Sequence, residues 1–79
     1  MKKLITFFKL LKMIRENEKE KTFLTEYCAF CLTKQNEYIK INDPKEIEIY
    51  NIQIKKTLDR IDFLDRATHE LRRDARLVR

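Results

Sequence analysis

Two cysteines three residues apart, Cys28 and Cys31, come closest to a chemical motif in this 79-residue chain. A thiolate pair at that spacing supplies half of a tetrahedral zinc site. The other half is missing, because the sequence holds no further cysteine and a single histidine, His69. Two chains would have to pool their pairs, and the metal would then enforce a dimer. A redox dithiol needs something to lower a thiol pKa, such as a helix N-terminus, and nothing here marks one. Cysteine is also a small apolar core residue, and Tyr27 and Phe30 beside the pair suit packing. The sequence therefore assigns no metal and no cofactor, with Cys28 and Cys31 kept as the metal candidates.

His69 has Asp65 four residues before it, within reach on a helix. Catalysis would also require a nucleophile and a site to hold substrate. Asp59, Asp62 and Asp65 recur every three residues and could face a divalent cation, but Arg60 and Arg66 interleave with them. That pattern describes a solvated ion-pair face. The chain has no glycine, which excludes phosphate-cradling loops, dinucleotide fingerprints and hydrolase elbows, each of which needs glycine at a fixed backbone position. The reading is of a protein that is not an enzyme and has no small-molecule substrate.

Arginine supplies the remaining chemistry. Arg72, Arg76 and Arg79 follow at steps of four and three, with Arg73 beside them, so one helix face could track nucleic-acid phosphates. Glu70 and Asp74 dilute that face, and no aromatics interleave for base stacking. The formal net charge is +5 and it is uneven. Residues 1–15 carry Lys2, Lys3, Lys9, Lys12 and Arg15 and no acid. Residues 65–79 carry five arginines against three acids, and the stretch between carries ten acids and eight bases. Leu4, Phe7, Phe8 and Leu11 near the start combine with these lysines into a basic amphipathic segment, the pattern of a helix lying on an anionic membrane surface. The opening imitates a secretory leader for eight residues until Lys9 and Lys12 interrupt it, and no small-residue cleavage site follows. No stretch approaches the ~18 apolar residues of a membrane span. The expectation is a cytoplasmic protein with reduced thiols. Its bias to Lys, Ile, Asn and Glu suits an AT-rich genome, such as that of a low-GC bacterium, phage or plasmid.

These residues must be positioned by helices. The expected fold is all-α, a single small domain over residues 1–79 with helices at about 3–18, 22–40 and 44–78. In the first, Leu4, Phe7, Leu11 and Ile14 make one stripe. The polar run from Arg15 to Lys21 is expected to fray or turn near 17–22, with Thr22 capping the next helix. In the second, Phe23, Tyr27, Cys31 and Tyr38 share a face, with Leu24, Cys28 and Phe30 beside it. Asp43-Pro44-Lys45-Glu46 is a start signal for the third: a capping Asp, Pro at the first helical position, and Glu three residues after the cap. From Ile47 a seam of alternating three- and four-residue steps then runs through Tyr50, Ile54, Thr57, Ile61, Leu64, Thr68, Leu71 and Ala75 to Val78. The alternative is a β-hairpin at 37–54, where Ile39, Ile41, Ile47 and Ile49 alternate with polar residues.

On the helical reading Ile49, Ile52 and Phe63 fall outside that seam, so the third helix is apolar on two sides. Two helices of ~18 residues cannot cover the seam beyond Leu64. The sequence thus predicts a homodimer, or docking on a larger complex as an adaptor, inhibitor, assembly factor or virion component. The expected protein-contact residues are Ile49, Ile52, Ile61, Phe63, Leu64, Leu71 and Val78. Nucleic-acid binding through Arg72, Arg73, Arg76 and Arg79 is the first alternative, and a membrane-surface protein anchored by its N-terminal segment is the second.

Overall fold

The computed structural model describes residues 2–78, with side chains for residues 3–78; Arg79 of the arginine face lies outside the described residues. The chain forms two helices, α1 (Lys2–Lys40) and α2 (Pro44–Val78). They have 39 and 35 residues. Residues 41–43 reverse the chain, so the helices lie antiparallel in a rod of 61 × 14 × 12 Å. A 39-residue helix is about 58 Å long, so α1 alone spans the rod.

The three-helix expectation is corrected at residues 17–22, where α1 continues without a break. Thr22 does not cap a new helix. Its Oγ1 donates to the Glu18 carbonyl one turn back, at 3.0 Å. The polar run stays helical because α2 lies alongside it and answers its charges. Arg60 Nε donates to Glu20 Oε2 at 3.1 Å, and Arg72 donates to Glu18 at 3.0 Å. Lys21 pairs with Asp65.

The β-hairpin alternative at 37–54 is also overturned, and the described residues contain no strand. The turn is a helix stop followed directly by a helix start. Asn42 adopts φ 56°, the left-handed conformation that suits glycine best and asparagine next. With that geometry the Asn42 N–H donates to the Ile39 carbonyl at 3.1 Å and the Asp43 N–H to the Tyr38 carbonyl at 3.0 Å. These two bonds close the last turn of α1 as a Schellman motif. Asp43 then accepts from the Glu46 N–H at 3.3 Å, and Pro44 occupies the first position of α2. The isoleucine alternation has no weight against two satisfied helix ends.

Between the helices runs one seam. On α2 it comprises the ten residues from Ile47 to Val78 at three- and four-residue steps, every one buried or half-buried. On α1 it is Phe7, Leu10, Ile14, Asn17, Lys21, Leu24, Cys28, Cys31, Gln35 and Tyr38, with the same steps and the same burial. The face expected for the second segment is therefore rotated. Leu24 and Cys28 point inward, while Phe23 is 64% exposed. Gln35 ties the register near the turn, donating to the Ile47 carbonyl at 3.3 Å and pairing with Asn51. Tyr38 and Tyr50 stack beside it, with ring centroids 5.8 Å apart. The far half of α2 is covered too, since Phe7, Leu11 and Ile14 share a cleft with Ala75. The expectation that the seam beyond Leu64 lacked cover thus falls: one 39-residue helix reaches where an 18-residue helix would not.

Candidate interaction surfaces

Cys31 is fully buried and Cys28 nearly so, both as free thiols in the seam. The Cys31 thiol near the Tyr27 hydroxyl pushes the Tyr27 pKa up, through hydrogen bonding first and then through the charge the thiol would carry. Thiolates of a second chain could reach this pair only if the hairpin opened. His69 is exposed in a shallow polar cleft of about 480 Å³ with Asp62, Asp65, Arg66 and Glu70, all from α2. Two of the three carboxylates there are already engaged, Asp62 with Arg66 and Asp65 with Lys21. No group of three His, Cys, Asp or Glu among the described residues could hold a metal ion.

The two flanks of the rod differ. One is marked by Glu18–Arg72 and Lys21–Asp65. The hydrogen bond from Lys21 holds the Asp65 carboxyl below its ordinary pKa, and the same bond raises that of Lys21. The other flank is marked by Glu20–Arg60. Phe23 lies three residues beyond Glu20 and Phe63 three beyond Arg60, so both rings stand on this side of the rod. The Arg60 guanidinium covers the Phe63 ring at 5.2 Å from its centroid. Toward the turn, Tyr27 stacks on Phe30 at 6.4 Å, and Lys34 stands 5.9 Å from the Phe30 centroid. Ile52 and Ile49 continue the surface on α2, each more than 40% exposed.

The expected contact residues are thereby divided. Leu64 is buried by α1, and Ile61, Leu71 and Val78 are half-buried in the same seam, so their apolar surface is largely satisfied within the chain. Ile49, Ile52 and Phe63 face outward and remain open. Phe23 and Phe30 join them, although the sequence pattern places those two inward. The steps Leu24-Cys28-Cys31-Gln35-Tyr38 carry the signal that turns them outward. Polar Asn17, Lys21 and Gln35 at seam positions conceal it.

Arg72, Arg73 and Arg76 are exposed near the close of α2. The hairpin places them beside the opening turns of α1, so the two basic segments of the sequence meet at one end of the rod. There Phe7, Leu11, Ile14 and Ala75 floor a cleft of about 340 Å³, and Arg72 and Arg76 rim it. No helix among the described residues is long and apolar enough to cross a membrane. Comparison of the chain with family models, with curated proteins and with solved structures finds no match.

Proposed function

We propose that the chain is a non-enzymatic interaction protein that self-associates through the flank carrying Phe23, Phe30, Ile49, Ile52 and Phe63. One observation carries this reading: three phenylalanines of that flank are each more than half exposed, while the described residues bury only six side chains. At ~200 Å² per aromatic side chain, the three rings alone offer on the order of 350 Å² of accessible surface. With Ile49 and Ile52 the patch falls well within the ~300–600 Å² of the largest patches on monomers, which are often functional. A small chain gains most from covering such a surface, because it buries little on its own.

A second copy suits the flank better than a strongly charged partner does. Glu20, Lys34, Glu37, Lys56 and Arg60 mix both signs around the rings, although the molecule as a whole is basic. The intrachain pairs Glu20–Arg60 and Lys34–Glu37 leave this rim close to neutral, and a two-fold arrangement lays the aromatics on one another, forming four antiparallel helices. Phe30→Asp combined with Phe63→Asp should then abolish self-association at micromolar concentration. Helicity by circular dichroism should hold, because neither ring is in the seam. Unchanged oligomer size in the double variant would refute the reading.

A further inference from the structure

The basic end of the rod combines unpaired cations with uncovered apolar side chains. Leu4, Ile5 and Phe8 are 57%, 56% and 59% exposed. Lys12 and Arg15 continue the same stripe of α1 at steps of four and three, and Lys9 lies beside it. Lys9, Lys12, Arg15, Arg73 and Arg76 are all exposed, and none has an ion-pair partner among the described residues. Arg72 is bound to Glu18 and shares the rim of the apolar cleft with Arg76. Lys3, also exposed, stands on the other side of Leu4, so cations flank the apolar group on both sides along α1. Lys12 and Arg15 stand about 6 and 10 Å above Phe8 at the helical rise per residue.

From this combination we propose that this end of the rod docks on an anionic phospholipid surface. Leu4, Ile5 and Phe8 enter beneath the headgroups, and the lysines and arginines on either side of them meet the phosphates. Interfacial helices lie along the surface and bury their apolar face to ~5–10 Å, a depth that these three side chains can fill. Contact is peripheral, since no described helix can span a bilayer. A nucleic acid would satisfy the cations but leave three large apolar side chains in water. It would also find only one exposed aromatic, Phe8, among them for base stacking. A bilayer satisfies both groups. This surface is separate from the Phe23–Phe63 flank, and docking here does not depend on self-association there.

The test uses the full chain and sedimentation with vesicles of phosphatidylcholine, alone or with about one third phosphatidylglycerol. Retention on the anionic vesicles should exceed that on the neutral ones at least about tenfold and should fall as salt rises from about 50 to 500 mM. Leu4→Gln combined with Phe8→Gln should weaken retention at least about tenfold with no change of charge. Both side chains are more than half exposed, so the helical signal should remain. Arg73→Gln with Arg76→Gln should reduce the preference for the anionic lipid. Equal retention on both vesicles, no retention, or retention unaffected by Leu4→Gln with Phe8→Gln would overturn the proposal. Tight binding to duplex DNA or to RNA without vesicle binding would assign this end to nucleic acid instead.

Discussion

Thr68 shows what single residues contribute to the seam. It is 1% exposed, and its hydroxyl has no hydrogen-bond partner among the described residues. Thr57, also buried in the seam, differs: its hydroxyl donates to the Gln53 carbonyl at 2.7 Å. An unsatisfied buried hydroxyl costs about 1–3 kcal/mol, and valine has the same shape without it. Thr68→Val should therefore stabilise the hairpin by roughly 1 kcal/mol in chemical denaturation, whereas Thr57→Val should give less or nothing. A destabilised Thr68→Val would mean that the hydroxyl finds a partner in solution. Asn42 is the matching case in the backbone, the one positive-φ residue among those described, placed where the chain must reverse.

Among the elements, the continuity of α1 rests on charges that only α2 can answer. Within the run from Arg15 to Lys21 the sequence shows like-charge neighbours, Arg15 with Lys19 and Glu16 with Glu20, which argue against a helix. The partners that outweigh this repulsion lie 40, 44 and 54 residues away in sequence. No local pattern could reveal them, and so α1 was legible only as two pieces. The start of α2 was legible, because Asp43, Pro44 and Glu46 act on their own neighbours. Its seam was legible as well, because the three- and four-residue steps persist from Ile47 to Val78. The Lys21–Asp65 pair gives this dependence a pH signature. Asp65 titrates below its ordinary value, so its contribution is present above the ordinary carboxylate pKa and is lost as pH falls through the lowered one. Lys21 titrates above its ordinary value, so its contribution is present below that value and disappears at alkaline pH. The thermal midpoint should drop in acid, and Asp65→Asn should flatten part of that limb. The effect should be small because the pair is near the surface. Identical acid limbs for wild type and Asp65→Asn would show that the pair contributes nothing.

For the molecule as a unit, two long helices with one seam leave much of their surface uncovered. The expectation of an incomplete molecule rested on α2 being apolar on two sides. One of those sides is met inside the chain by the full length of α1. The other, with Phe63, Ile49 and Ile52, stays open and is widened by Phe23 and Phe30 from α1. The sequence could show that α2 has two apolar sides, but which side α1 takes depends on the register of the hairpin. The same reversal of the chain gathers the lysines of the first turns and the arginines of the last at one end, 61 Å being the full span of the rod. Self-association through the aromatic flank would cover the side that the hairpin leaves open. Sedimentation equilibrium of the wild-type chain at about 10–100 μM is the decisive measurement, in the range where a specific interface of ordinary size is populated. The expected particle has about twice the 9.7 kDa chain mass. A folded, helical particle of 9.7 kDa across that whole range would rule self-association out.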